Sequence, residues 1–348
     1  MKNNRLFCVA GNRSLSIIYP FTNADISMKR IKTFVVFVFF VLSFIQQATA
    51  QYYFFDNNYY DTPLMFEVGG SVGAMNCLTD LGGKKGLGKP GTKDLNMGNT
   101  RLNGSIYLDA LYKYAVGIRL EATFGQLNAY DSILKDVRAT TNGRYERNLN
   151  FRTNIAEISL VAEFHPLYIF INWLSRDNEP PRLSPFLSAG VGLFSFNPQG
   201  KMGNKWLDLQ PLSTEGEGFT EYPDRKVYKL VQLCIPFGGG VKYELSPAVN
   251  LRAEFLYRFL STDYLDDVSK RYINPAVFPK YLSGADLQNA INISRNDRVN
   301  PGGPTGEFRK TEGGIRGNPK DNDAYFSFNI KAGITFGREQ IRRGPQRF

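Results

Sequence analysis

Cysteine and histidine are almost absent from this chain: 348 residues contain three cysteines and one histidine. Cys8 precedes the segment read below as a leader, which leaves Cys77 and Cys234. Two cysteines do not make a disulfide scaffold of an exported chain this long, so packing and hydrogen bonds must hold the fold. The two thiols are expected to be unpaired, with a bridge between them as the open alternative. His165 and two isolated cysteines provide no transition-metal ligand cluster. Beyond residue 50 there is no apolar stretch of 18 residues, which excludes helical membrane spans there. Clustered basic charge is missing as well. The chain carries 42 Lys/Arg and 32 Asp/Glu. Six of those bases (Lys2, Arg5, Arg13, Lys29, Arg30, Lys32) and one acid (Asp25) lie in the first 50 residues. The remainder therefore has 36 basic and 31 acidic side chains, a net charge of +5 rather than +10. These charges are scattered and no recognition motif accompanies them, so no nucleic-acid partner is expected.

The sequence does contain an export signal. Met28-Lys29-Arg30-Ile31-Lys32 is a short basic segment, and Phe34 to Ile45 is an apolar run broken only by Ser43. Ala48-Thr49-Ala50 before Gln51 then supplies a small-x-small cleavage site. The run is shorter than the roughly 20 residues a stable helical anchor needs. The expected organisation is a start-site overrun over 1–27, a signal peptide over 28–50 with cleavage marked by Ala48, Ala50 and Gln51, and an aromatic-rich segment over 51–63. A barrel over 64–337 and a basic tail over 338–348 complete it.

After the leader, a two-residue alternation recurs. Phe326, Phe328, Ile330, Ala332, Ile334 and Phe336 share one face of a strand, and Tyr325, Ser327, Asn329, Lys331, Gly333 and Thr335 share the other. The same period covers 116–125, 156–164 and 251–258, and weaker versions cover 64–76, 102–113, 184–196 and 229–244. That predicts eight strands. A soluble sandwich hides its apolar face, whereas a membrane barrel turns that face to lipid and its charges inward. Three features favour the barrel: strands longer than those of soluble sheets, the export signal, and connections that alternate in length. Strands two and three meet at Lys113-Tyr114, and six and seven across Leu245-Ser246-Pro247-Ala248. Long polar segments occupy 78–101, 127–149, 197–228 and 259–324. The prediction is an all-β, eight-stranded antiparallel transmembrane β-barrel of the outer membrane, with short periplasmic turns and long extracellular loops. The exception is 165–183, a long connection on the short-turn side, whose portion from His165 to Leu174 is rich in apolar residues suited to the membrane interface.

Inside such a barrel, Arg119, Glu121, Glu157, Glu163, Lys242, Glu244, Arg252, Glu254 and Lys331 would point into the lumen. An eight-stranded barrel has room for little beyond its own side chains, so paired charges are expected there rather than a conduction path. Small barrel enzymes of the outer membrane use a His with a Ser at the outer rim. His165 falls on the opposite rim before Pro166, where a turn or capping role is expected. No catalytic residue, cofactor, metal or small-molecule substrate is expected. Asp263, Asp266, Asp267, Asp321 and Asp323 should gather at one rim, with Lys270, Arg271 and Lys320 close enough to pair with them. That reads as a salt-bridged loop base rather than a calcium site. The glycine runs at 82–86 and 238–240 lack the Lys-Ser/Thr ending of a phosphate loop and suit a crowded barrel wall.

Three motifs then carry a family resemblance. They are Ile235-Pro236-Phe237-Gly238-Gly239-Gly240-Val241-Lys242-Tyr243, then Thr262-Asp263-Tyr264-Leu265-Asp266-Asp267-Val268-Ser269, and Arg316-Gly317-Asn318-Pro319-Lys320-Asp321-Asn322-Asp323-Ala324-Tyr325-Phe326. The series resembles the PorG-like outer-membrane β-barrel family of Bacteroidota-type Gram-negative bacteria, more loosely from about Leu64 to Gly337. The resemblance implies a non-catalytic part in type IX protein secretion. Its implied partners are outer-membrane lipid and the periplasmic ring proteins PorK and PorN, which such a barrel helps tether. The alternative is a small barrel for surface binding or adhesion through its outer loops.

Overall fold

A computed structural model of the protein describes residues 59–82, 97–140, 144–169, 181–246, 248–294 and 312–340. The predicted leader and cleavage site, with residues 170–180 and Pro247, lie outside the described residues. Eight long strands form a closed antiparallel barrel: β1 (Tyr59–Leu78), β2 (Arg101–Tyr112), β3 (Val116–Tyr130), β4 (Asn150–Phe164), β5 (Leu183–Ser195), β8 (Val231–Ser246), β9 (Val249–Leu260) and β10 (Ala324–Gln340). Each pairs with its neighbours around the ring, and β1 closes on β10 through a ladder from Phe66↔Phe336 to Leu78↔Ala324. A short hairpin of β6 (Gln199–Met202) and β7 (Lys205–Asp208) extends the wall from β4 through Arg152↔Gln199. No helix among the described residues is long and apolar enough to cross a membrane.

Polarity decides what kind of barrel this is. On β3, Val116, Ile118, Leu120 and Phe124 are exposed on the outer wall, while Arg119, Glu121 and Thr123 are buried inside. On β10, Phe328, Ile330, Ile334 and Phe336 face out while Ser327, Asn329 and Lys331 face in. The sandwich is therefore excluded: one sheet closes on itself, and its polarity is the reverse of a soluble protein's. The outward apolar residues from Val116 to Phe124 cover roughly 23 Å of height at about 3.3 Å per residue and a tilt near 40°. Phe66, Phe336, Tyr112, Phe164 and Tyr243 ring the short-turn rim.

The strands are longer than alternation alone located them. β1 begins at Tyr59, inside the segment expected to precede the barrel, and β10 runs to Gln340, into the expected tail. β3 extends to Tyr130, where Leu127, Asn128 and Ala129 are all buried and the period is lost; β4 starts at Asn150, where burial still alternates but the inward Phe151 and Ile155 are apolar and the outward Arg152 and Asn154 polar. The β2–β3 turn holds both Lys113 (φ 48°) and Tyr114 (φ 58°) in the left-handed region, as a tight hairpin twist requires. Tyr114 is anchored by stacking on Tyr168, with ring centroids 5.4 Å apart. Tyr168 belongs to the short helical turn Pro166–Tyr168, which opens the long 165–182 connection.

Candidate functional site

The lumen is filled in layers. Near the short turns, Met65, Leu111, Tyr114 and Tyr168 form a small apolar cluster. Above it lies an ionic layer. Arg252 donates to Glu67 (3.0 Å), to Glu163 (2.7 Å) and to Asp109 (2.6 Å). Arg119 bridges Glu163 and Glu254, the latter at 2.7 Å. Lys331 reaches Glu121 at 2.6 Å and Glu254 at 2.8 Å, and Lys242 reaches Glu67 at 3.0 Å. Higher still, Arg258 binds Glu157 at 2.9 Å, and the Tyr325 hydroxyl donates to the same carboxylate at 2.5 Å. All nine predicted interior residues (Arg119, Glu121, Glu157, Glu163, Lys242, Glu244, Arg252, Glu254 and Lys331) are buried.

Glu67, Asp109 and Arg258 complete the layer and were not among them. Arg258 was visible at the inward parity of β9. Glu67 and Asp109 sit in two of the four strands whose alternation was weaker, and β1 places Gly69, Gly70 and Gly73 where a period would be read. Gly333 has a specific purpose. A Cβ there would meet the Glu67 carboxylate and the Tyr107 hydroxyl, which are hydrogen-bonded to each other at 2.7 Å.

His165 is fully buried at the short-turn end, 3.3 Å from Glu163 and 3.4 Å from Ser184. Three such groups could suggest a hydrolytic triad. Glu163 is already engaged by two guanidiniums, and Ser184 has no exposed surface for a substrate to approach. His165 caps the ionic layer. Cys77 and Cys234 are both free and buried.

Over the long-loop rim an apolar seal closes the lumen, formed by Met75, Leu127, Phe151, Phe194, Leu260 and neighbours. Leu265 and Val268 of the Thr262–Ser269 motif are part of that seal. Thr262, Asp263, Leu265, Asp266, Asp267, Val268 and Ser269 are all buried, and Tyr264 stacks on Tyr228 at 4.8 Å. Asp267, with φ at 63°, turns the chain in the left-handed region. Its carboxylate accepts from Thr214 (2.5 Å) and Tyr228 (2.7 Å). The second and third motifs are thus brought together: Arg316 donates to the Asp267 carbonyl at 2.6 Å, and Asp323 accepts from the Leu265 amide at 2.9 Å.

Two buried guanidiniums tie the four long loops into one cap. Arg147, after β3, holds Asp131 (2.8 Å), the Asp80 carbonyl (2.5 Å) and the Arg316 carbonyl (2.6 Å). Arg316, before β10, holds Asp267 and Glu215, the latter at 2.9 Å. Three predicted partners of the Asp cluster go elsewhere. Lys270 pairs with Asp224 at 2.9 Å, Arg271 donates to the Gly313 carbonyl, and Lys320 is exposed. Loop sequences have no period, and nothing in their spacing told which cations would turn inward. Burial pushes Asp263 up to about 8, helped by neighbouring Asp80, Glu215 and Asp321. It pushes Glu217 to about 8 as well, with Asp267 and Glu215 adding to it. Burial and the charges of Asp80 and Asp263 raise Asp266 well above the carboxylate range. No group of His, Cys, Asp or Glu among the described residues is arranged to hold a metal ion.

These features define a class: a sealed eight-stranded barrel with an apolar outer belt, a salt-bridged interior and a folded loop cap. No protein-family model and no curated protein matches the chain. Among solved structures it is similar to a major outer-membrane protein of Thermus thermophilus, at 12% identity over 79% of this chain and 100% of that one, with a TM-score of 0.35. It is also similar to the Neisserial surface protein A, at 8% identity over 80% and 99%, TM-score 0.34. A third is Ail, the attachment invasion locus protein of Yersinia pestis, at 8% identity over 78% and 97%, TM-score 0.31. Overlaps this loose carry no weight, and the barrel is defined by its own ladders and burial.

Proposed function

We propose that this protein is an outer-membrane barrel serving as a non-catalytic component of the type IX protein secretion system, which helps hold periplasmic ring proteins of the PorK and PorN kind at the membrane. The observation that carries the membrane part is the inverted polarity. Exposed Leu, Ile, Val and Phe surround a core of Arg, Lys and Glu, an arrangement stable only where the outside is hydrocarbon. Buried guanidiniums at mid-height favour a scaffold over a pore, since an eight-stranded lumen filled with paired charges leaves no wide aqueous bore. The secretion part is supported by the motif series resembling PorG-like proteins, whose second string, with Arg316 and Asp323 of the third, builds the buried heart of the cap.

Deleting the gene and measuring export of type IX cargo tests this reading. Secretion is expected to fall, and unchanged secretion would refute the role while leaving the fold intact. Pull-down from detergent extracts is expected to recover periplasmic ring proteins.

A further inference from the structure

The cap buries more acid than base. Its buried carboxylates are Asp131, Glu215, Glu217, Asp263, Asp266, Asp267 and Asp323, and its buried cations are Arg147, Arg225 and Arg316. Arg147 answers Asp131, and Arg316 answers Glu215 and Asp267. Arg225 gives its Nη1 to the carbonyls of Glu215 and Arg271. Among the described residues, Glu217, Asp263, Asp266 and Asp323 are left without an ion-pair partner.

Asp263 is the anomaly. It is 8% exposed, neither of its carboxylate oxygens has a well-formed hydrogen bond among the described residues, and the Ser269 hydroxyl beside it favours its charged form. Its charge works against those of Asp80, Asp266 and Asp323: Asp80 raises Asp263, and Asp263 raises Asp266 and Asp323. Asp266 likewise has one oxygen accepting from the Val268 amide at 3.0 Å and the other with no well-formed hydrogen bond among the described residues, the Thr79 side chain favouring its charged form. The groups facing this cluster come from every packed segment: Cys77 in β1 with Thr79 and Asp80 after it, Arg147 after β3, Glu215 after β5, and Ser269 and Asp321 before β10. Arg147 is the one cation among them, and it is committed to Asp131 and to two carbonyls. Four carboxylates in a desolvated pocket cannot all be ionised without a counter-charge. A metal would supply one, but the oxygens are not arranged around a metal position.

We propose that the cap is a proton-held latch, in which Asp263, Asp266 and Asp323 keep protons between them while the Thr262–Ser269 turn is seated, and alkaline medium releases those protons and unseats the turn from the barrel mouth. The protonated oxygens supply the donors that the pocket lacks. Asp263 and Glu217 are both raised to about 8. An acid raised on folding makes the seated cap bind protons that the unseated loop has released, so seating is fully favoured below the ordinary carboxylate range. That advantage declines as pH rises and is gone above about 8.

The test is hydrogen–deuterium exchange on the full chain in phosphatidylcholine nanodiscs, corrected for the intrinsic pH dependence of exchange. Between pH 6 and pH 9, protection of amides 262–269 is expected to fall by at least about tenfold, the equivalent of one pKa unit, while strand amides keep theirs. Asp263→Asn and Asp266→Asn remove the titrating groups and are expected to hold protection at pH 9. Asp263→Asn gives up no well-formed hydrogen bond and keeps an acceptor for the Ser269 hydroxyl, so it serves even if Asp266→Asn folds poorly. Flat protection across this range would overturn the latch, as would an equal loss in Asp263→Asn. Restoration of protection at pH 9 by calcium alone would also overturn it, because a cation rather than a proton would then hold the cap.

Discussion

Replacing Arg252 with methionine tests the ionic layer most sharply. The guanidinium is 1% exposed and serves three carboxylates. Two of them keep a second cation: Glu67 has Lys242 at 3.0 Å, and Glu163 has Arg119. Asp109 has no other ion-pair partner, and its Oδ1 already lacks a donor. The substitution therefore strands one buried charge and weakens two others. Breaking a buried pair from one side costs about 3–5 kcal/mol, a large share of the 5–15 kcal/mol typical of a folded domain. Methionine fills most of the lost volume, so little of this cost is cavity. Adding Asp109→Asn should return most of the loss, leaving the double variant within about 1–2 kcal/mol of the parent, because the stranded charge is gone. Equilibrium unfolding by urea in lipid bilayers, followed by the electrophoretic shift of the folded barrel, measures both. The reasoning fails if Arg252→Met costs less than about 1 kcal/mol, or if the double variant is no more stable than the single one.

Three further outcomes are expected. Leu120→Arg, at mid-height of the outer belt, should destabilise the barrel in bilayers by about 2–4 kcal/mol, whereas the neighbouring inward Arg119 is tolerated. Gly333→Ala should cost about 1–3 kcal/mol by pressing on Tyr107 and Glu67, read as a lower urea midpoint. Cys77 and Cys234 should resist maleimide in the folded protein and react at once on unfolding, because both are free and buried.

The membrane-facing half of the fold was legible in the sequence because lipid demands a strict period. Every second residue from Val116 to Phe124 had to be apolar, and the intervening ones had to be satisfied inside. Legibility ended where lipid ends. Beyond Gly125 on β3, Leu127, Asn128 and Ala129 are buried without alternation, and before Ala156 on β4 burial still alternates but with its polarity turned over, Phe151 and Ile155 inside and Arg152 and Asn154 outside. The Asp cluster was correctly located between β9 and β10, but its cations were misassigned. Lys270 and Arg271 are near in sequence, whereas Arg316 and Arg147 are near only after the loops fold. An arginine suits that position because its five donors reach several loop carbonyls at once.

The seam between β1 and β10 has a consequence for biogenesis. The first and last long strands of the barrel are hydrogen-bonded neighbours along a ladder from Phe66↔Phe336 to Leu78↔Ala324. Until the final strand arrives, β1 and β9 each present an open edge that can pair with a stranger. The most sequence-distant contacts in the molecule thus close last and carry the largest loop-closure penalty. A chain of this design closes its ring only when β10 is in place, because β1 has no other partner on that edge.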